Sequence, residues 1–97
     1  MKSKVNNNSL PFNEILITER NFLRFFSRSA PEEELKWHYD PEDRLIKVLN
    51  ENDWLFQFDN TLPQELPNEF LIPMGVWHRL IKGTTDLQVQ VTKLPKI

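Results

Sequence analysis

The stretch Ile72-Pro73-Met74-Gly75-Val76-Trp77-His78 constrains this chain most, because it admits little besides a strand, a tight turn and a second strand. Pro73 holds φ at about −65°, and Gly75 reaches positive φ without the penalty a Cβ imposes. In the strand that follows, Val76, His78 and Leu80 share one face, while Trp77 and Arg79 share the other. The second of the two histidines lies upstream in Trp37-His38-Tyr39-Asp40, with a carboxylate two positions later on the same strand face.

The rest of the second half repeats this β-like pattern. Leu45, Lys47 and Leu49 alternate with Ile46, Val48 and Asn50, a largely apolar strand compatible with burial on both faces. Asn50-Glu51-Asn52-Asp53 reads as a turn, since Asn and Asp tolerate left-handed conformations. Trp54, Phe56 and Phe58 then share a face, Asp59-Asn60 turns the chain, and Leu62-Pro63 opens a short strand closed by Pro67-Asn68. Strands over 70–72, 76–81 and 87–91 complete the series, with Gly83 in the last turn. Short strands at this spacing predict an all-β barrel or sandwich spanning residues 31–97.

The first thirty residues read differently. Residues 1–9 are polar and Asn-rich and are expected to be disordered, within a flexible arm over 1–17 that includes a short extended piece. Thr18 suits a helix N-cap, Glu19 the positive end of a helix dipole, and Ile17 with Phe22 a hydrophobic staple. An amphipathic α-helix is therefore expected over 18–30, stopping before Pro31 and packing outside the barrel. Arg20, Arg24 and Arg28 would form its polar stripe, either solvated or docking on a partner. Ala30 and the glutamates up to Glu34 read as an acidic linker.

Composition excludes several functions. Twelve basic residues balance fourteen acidic ones, so no positive field exists to grip nucleic acid or an anionic membrane. Cysteine is absent, which removes disulfides, thiol catalysis and Cys-ligated zinc. No apolar run approaches the roughly 20 residues of a membrane span, and no secretory signal follows Met1. An intracellular, soluble protein is the expectation. Ser27 and Ser29 lack a nucleophile-elbow context, and two glycines cannot make a phosphate loop.

Pro73-x-Gly75-x-x-His78 resembles the second motif of the cupin superfamily, without its final Asn. In the first cupin motif, His38 falls on the first histidine, Asp40 on the second, and Arg44 where a glutamate is usual. The resemblance covers roughly residues 37–91. It implies a small antiparallel cupin-like β-barrel of jelly-roll type, here with one N-terminal α-helix. Trp37-His38-x-Asp40-x-x-Asp43-Arg44 and Trp54-x-x-Gln57-x-Asp59 further resemble short cupin-like proteins of tailed phages of marine bacteria. That likeness implies a phage or bacterial origin, extends the localisation to the virion, and brings no activity.

The site can be read three ways. His38, Asp40 and His78 form a two-histidine, one-carboxylate set suited to Fe(II), Mn(II), Ni(II) or Zn(II), with open positions for water or substrate. Gln57 would ligate the ion through oxygen or hydrogen-bond a water bound to it, and Arg44 would receive a small polar or anionic ligand. Arg44 also opposes the ion: a permanent cation there repels it and pairs with Asp40 or Asp43 instead. The second reading is a metal-free ligand pocket. The third leaves both imidazoles as hydrogen-bonded residues of a polar-lined barrel. A barrel this small leaves an exposed edge, so a homodimer is expected. The competing function is a non-enzymatic accessory or structural module, virion-associated, that docks through Arg20, Phe22, Arg24 and Phe26.

Overall fold

The computed structural model describes residues 12–31 and 35–95. Eight antiparallel strands follow in order: β1 (Phe12–Thr18), β2 (Asn21–Phe26), β3 (Arg44–Val48), β4 (Leu55–Phe58), β5 (Gln64–Glu65), β6 (Glu69–Ile72), β7 (His78–Ile81) and β8 (Leu87–Lys93). They form a five-stranded sheet, β1-β2-β8-β3-β6, facing a three-stranded sheet, β5-β4-β7. The expected all-β architecture is thus present, and among the described residues there is no helix.

The core lies between the sheets. Phe26, Ile46, Ile72, Leu87, Val89 and Val91 come from the larger sheet or its margin, Trp54 and Phe56 from the smaller side, and all are buried. Phe56 meets Phe70 across the gap with ring centroids 4.9 Å apart, and Trp54 meets Phe26 at 5.8 Å. Such tilted aromatic pairs add to the roughly 150–250 Å² that each ring buries, so a few of them suffice for a small domain. Trp54 is anchored further by its indole N–H, which donates to the Thr85 carbonyl.

The expected helix over 18–30 is corrected to a hairpin. Thr18 Oγ1 does accept a backbone N–H, but from Arg20 at 3.3 Å, within the turn between β1 and β2. The same hydroxyl chemistry serves a helix cap and a Ser/Thr turn, so the residue type does not distinguish them. Phe22, Leu23, Phe25 and Phe26 fit a helical stripe and equally a strand covered on both sides. Pairing decides the outcome: six residues of β2 align with β8 on one flank, and β1 aligns on the other. Phe12 and the strand 12–18 are ordered parts of this sheet, whereas the expected disorder of 1–9 lies outside the described residues.

Strand β3 also departs from expectation. Ile46 is buried and Lys47 exposed, so only one face of the strand meets the core. Its other face carries Lys47 and the half-buried Leu45, which pairs laterally with the exposed Leu71.

The turns that frame the site are pinned by side chains. Gly75 has φ +78°, as its place after Pro73-Met74 requires, and its N–H donates to the Asp40 carbonyl at 3.0 Å. Asp43 Oδ1 accepts the Met74 N–H at 2.7 Å. Asn50 bridges to the 86–88 segment through both ends of its amide. Asp53 accepts from the Thr84 N–H and hydroxyl. The 72–78 turn is therefore held against residues 40–43, which sets His78 beside Asp40.

Candidate metal centre and adjoining cavity

His38 and His78 are directly opposed across an antiparallel bridge, exchanging N–H···O bonds of 3.0 and 2.9 Å. Their rings meet edge-on with centroids 4.3 Å apart. Asp40, two residues after His38, returns to the same face. The three side chains place ligand atoms within 4.8 Å of one another. His78 Nε2 lies 3.3 Å from Asp40 Oδ2, and His38 Nε2 lies 3.9 Å from Asp40 Oδ1. Asp40 and His78 side chains are 7% and 4% exposed, whereas His38 is 54% exposed and forms the open side.

The hydrogen bonds of the rings decide what this cluster can do. His78 Nδ1 lies 2.8 Å from the Val76 carbonyl, and His38 Nδ1 lies 3.0 Å from the Lys36 carbonyl. A carbonyl oxygen only accepts, so each Nδ1 carries the proton and donates. Each Nε2 is left to face the Asp40 carboxylate. A bare lone pair 3.3 Å from a carboxylate oxygen is repulsive, so a cation belongs between them: a second proton, giving imidazolium, or a metal ion. Metal-binding histidines are commonly held in this way, a backbone carbonyl accepting from the far nitrogen and fixing the tautomer and ring orientation.

Donor spacing gives a test of fit. Bonds of about 2.1 Å at tetrahedral or octahedral angles place adjacent donors roughly 3.0–3.4 Å apart. The His78–Asp40 pair already meets that spacing, and the exposed His38 ring is the one that must close in. The residues present therefore fit a divalent ion.

Arg44 pairs with Asp40, one of the two carboxylates expected for it, and with Glu42 rather than Asp43. Its Nη1 lies 3.2 Å from Asp40 Oδ1 and its Nε donates to Glu42 Oε2 at 2.6 Å. The guanidinium is thus split between two carboxylates and leaves Asp40 Oδ2 facing His78. Burial by itself pushes the Asp40 carboxyl up. The hydrogen bond with His78 and nearby positive charge, Arg44 foremost, outweigh it and hold the group below the usual carboxylate range.

Gln57 is not brought to this cluster, which corrects its expected role. It lies on the outer face of β4, where Oε1 accepts from Arg79 at 2.9 Å and Nε2 donates to the Thr61 carbonyl at 2.8 Å. Register explains this: Phe58 stands opposite His78, and Gln57 opposite Arg79. Trp37, Tyr39 and Trp77 share that outer surface, with Tyr39 and Trp77 in edge contact and Arg79 over Trp37.

A cavity of about 400 Å³ opens beside the three candidate ligands. Its walls are mainly apolar, including Phe26, Ile46, Phe56, Phe70 and Val91, and its polar lining adds Arg24, Lys36 and Arg44. Sequence reasoning missed Arg24, Lys36 and Glu42. The period-two run Phe22-x-Arg24-x-Phe26 carried the signal for Arg24, hidden by the equally good helical reading.

Solved structures share this architecture. A cupin domain from Bordetella pertussis Tohama I superposes with a TM-score of 0.59 at 16% identity, covering 87% of this chain and 92% of its own. A cupin-2 domain protein from Shewanella frigidimarina gives 0.59 at 15% identity, with 98% and 95% covered. The fold is a cupin fold. The hydroxypropylphosphonic acid epoxidase of S. wedmorenis gives 0.60 at 16% identity over 86% of this chain, which spans about half (49%) of the epoxidase. A structure of Fe(II) HppE gives 0.59 at 17% identity, covering 86% of this chain and 48% of its own. No protein-family model matches the chain, and no curated protein matches it. Among the described residues no helix is long and apolar enough to cross a membrane.

Proposed function

We propose that this cupin-fold protein binds a divalent metal ion through His38, Asp40 and His78 and admits a small polar or anionic ligand to the adjoining cavity. The observation that carries this reading is the fixed pair of imidazoles, each with Nδ1 on a backbone carbonyl and Nε2 turned towards Asp40. Fe(II), Mn(II), Ni(II) and Zn(II) all suit two nitrogens and one carboxylate. The Fe(II) form of a structural neighbour accords with this choice. Such an ion supplies open positions for water or ligand. The chain itself supplies an apolar enclosure, an exposed side at His38, and Arg44 to hold the carboxylate in place.

Elemental analysis of untagged protein reconstituted with each ion tests the proposal. Near-stoichiometric metal is expected, lost in His78→Ala and kept in Gln57→Ala, whose amide is engaged elsewhere. Equal, substoichiometric metal in all three proteins would overturn it.

The accessory-module reading relied on a docking helix, and residues 18–30 hold the end of β1, a turn, strand β2 and the irregular segment after it instead. The homodimer is proposed on a separate observation. Strand β1 is the outer strand of its sheet, and Ile15, Leu16 and Ile17 are all more than half exposed there. A second copy pairing along this edge would cover them. Light scattering on wild type and on Ile15→Lys should give a dimer and a monomer; a monomeric wild type would refute it.

A further inference from the structure

Strand β2 points Phe22, Arg24 and Phe26 to the interior of the barrel, so Arg24 is a charge set among core residues. Its side chain is 17% exposed and its guanidinium lies 4.3 Å from the ring centre of Phe12. Its Nε donates to Glu14 Oε2, from the residue directly opposite on β1. A guanidinium has five N–H donors. Among the described residues the two terminal nitrogens have no protein acceptor. Arg24 borders the same cavity as the candidate metal ligands.

Arg44 cannot take the same role. It is shared by Asp40 and Glu42, so its surroundings carry net negative charge without an ion. Among the described residues Arg24 has one partner carboxylate, and Lys36 lines the cavity as well. The two arginines are also far apart. Arg24 stands opposite Val89 and Arg44 opposite Lys93, on the two flanks of β8. Four residues along the strand and two strand spacings across place their backbones about 16 Å apart. Each is drawn by its own carboxylates, so one acid group cannot bridge them.

We infer that Arg24 is a specificity-determining residue that binds the acid group of an amphipathic monoanion, whose apolar body lies along the aromatic wall towards His38, Asp40 and His78. This deepens the ligand half of the proposed function and rests on that reading of the cavity. Size follows from volume: 400 Å³ holds roughly a dozen non-hydrogen atoms at about 30 Å³ each. A medium-chain carboxylic acid meets that limit, with the fork of Arg24 matching the carboxylate.

The probe is octanoate, with octan-1-ol as its uncharged counterpart, titrated calorimetrically into full-length protein with chelator and again with Zn(II). Octanoate is expected to bind at least about tenfold tighter than octanol, the scale of one charge-assisted hydrogen bond. Arg24→Met should erase that preference while leaving zinc stoichiometry unchanged. Glu14→Gln keeps an acceptor for Nε and removes the competing charge, so it should tighten octanoate severalfold and leave octanol unaffected. A misfolded variant would not gain affinity. Equal binding of acid and alcohol by wild type would overturn the inference while stoichiometric zinc upheld the metal site. Octanoate binding that requires zinc and ignores both variants would overturn it too, since the acid would then ligate the ion. Arg24-dependent binding in protein that takes up no zinc would uphold the inference and refute the metal reading.

Discussion

Replacing Arg44 by Met should destabilise the metal-free protein and strengthen its grip on a divalent ion, two effects of opposite sign from one change. Arg44 is 11% exposed and stands between Asp40 and Glu42, which are 7% and 18% exposed. Removing one member of a buried ionic group costs about 3–5 kcal/mol because the remaining charges lose compensation. Glu42 can turn towards water, so the lower end, about 3 kcal/mol, applies. A domain this size has roughly 5–15 kcal/mol of stability, and the loss corresponds to a fall in Tm of about 12–24 °C. Urea unfolding followed by tryptophan fluorescence, in chelator at pH 7, measures it. The metal effect follows from Coulomb's law: removing a unit charge a few ångströms from the ion at an effective dielectric near 20 exceeds about 1.4 kcal/mol, so Zn(II) affinity should rise at least about tenfold. A variant as stable as wild type, or one that binds Zn(II) more weakly, would refute the reasoning.

Acid should destabilise the metal-free protein through two carboxyls. Asp40 and Asp53 both lie below their ordinary value, Asp53 through hydrogen bonds from Thr84. A folded pKa below the unfolded one gives stability that is present above about pH 4 and lost as pH falls through the folded value. The stability gap between wild type and Asp53→Asn should therefore narrow below about pH 4 in urea titrations; a gap that widens there contradicts the assignment. Gly75→Ala places a Cβ at φ +78° in open space, so only backbone strain opposes it. About 1–2 kcal/mol should be lost in the same assay, and an unchanged midpoint would show that the turn is not held in this conformation.

The strand-turn-strand around Gly75 and the alternation of Trp54, Phe56 and Phe58 were legible because local chemistry and tertiary pairing agree there. So was the convergence of His38, Asp40 and His78, since two-residue spacing fixes a strand face and the motif fixes the turn. Residues 18–30 misled because Thr18 serves caps and turns alike, and because β2 gains its definition from β8, some sixty residues later. Gln57 misled for a related reason. Its face depends on the register between β4 and β7, and a one-residue offset from Phe58 sends it outside. Arg24 could not be assigned to the cavity until that long-range pairing was known.

The central claim is that His38 and His78 hold a proton on Nδ1 and offer Nε2 towards Asp40. Long-range proton–nitrogen NMR of the imidazoles, in chelator and then with one equivalent of Zn(II), tests it most directly. The account predicts Nδ1–H in both rings throughout, with both Nε2 resonances shifting on zinc addition. Unmoved Nε2 signals, or zinc-induced loss of the Nδ1 proton, would contradict it.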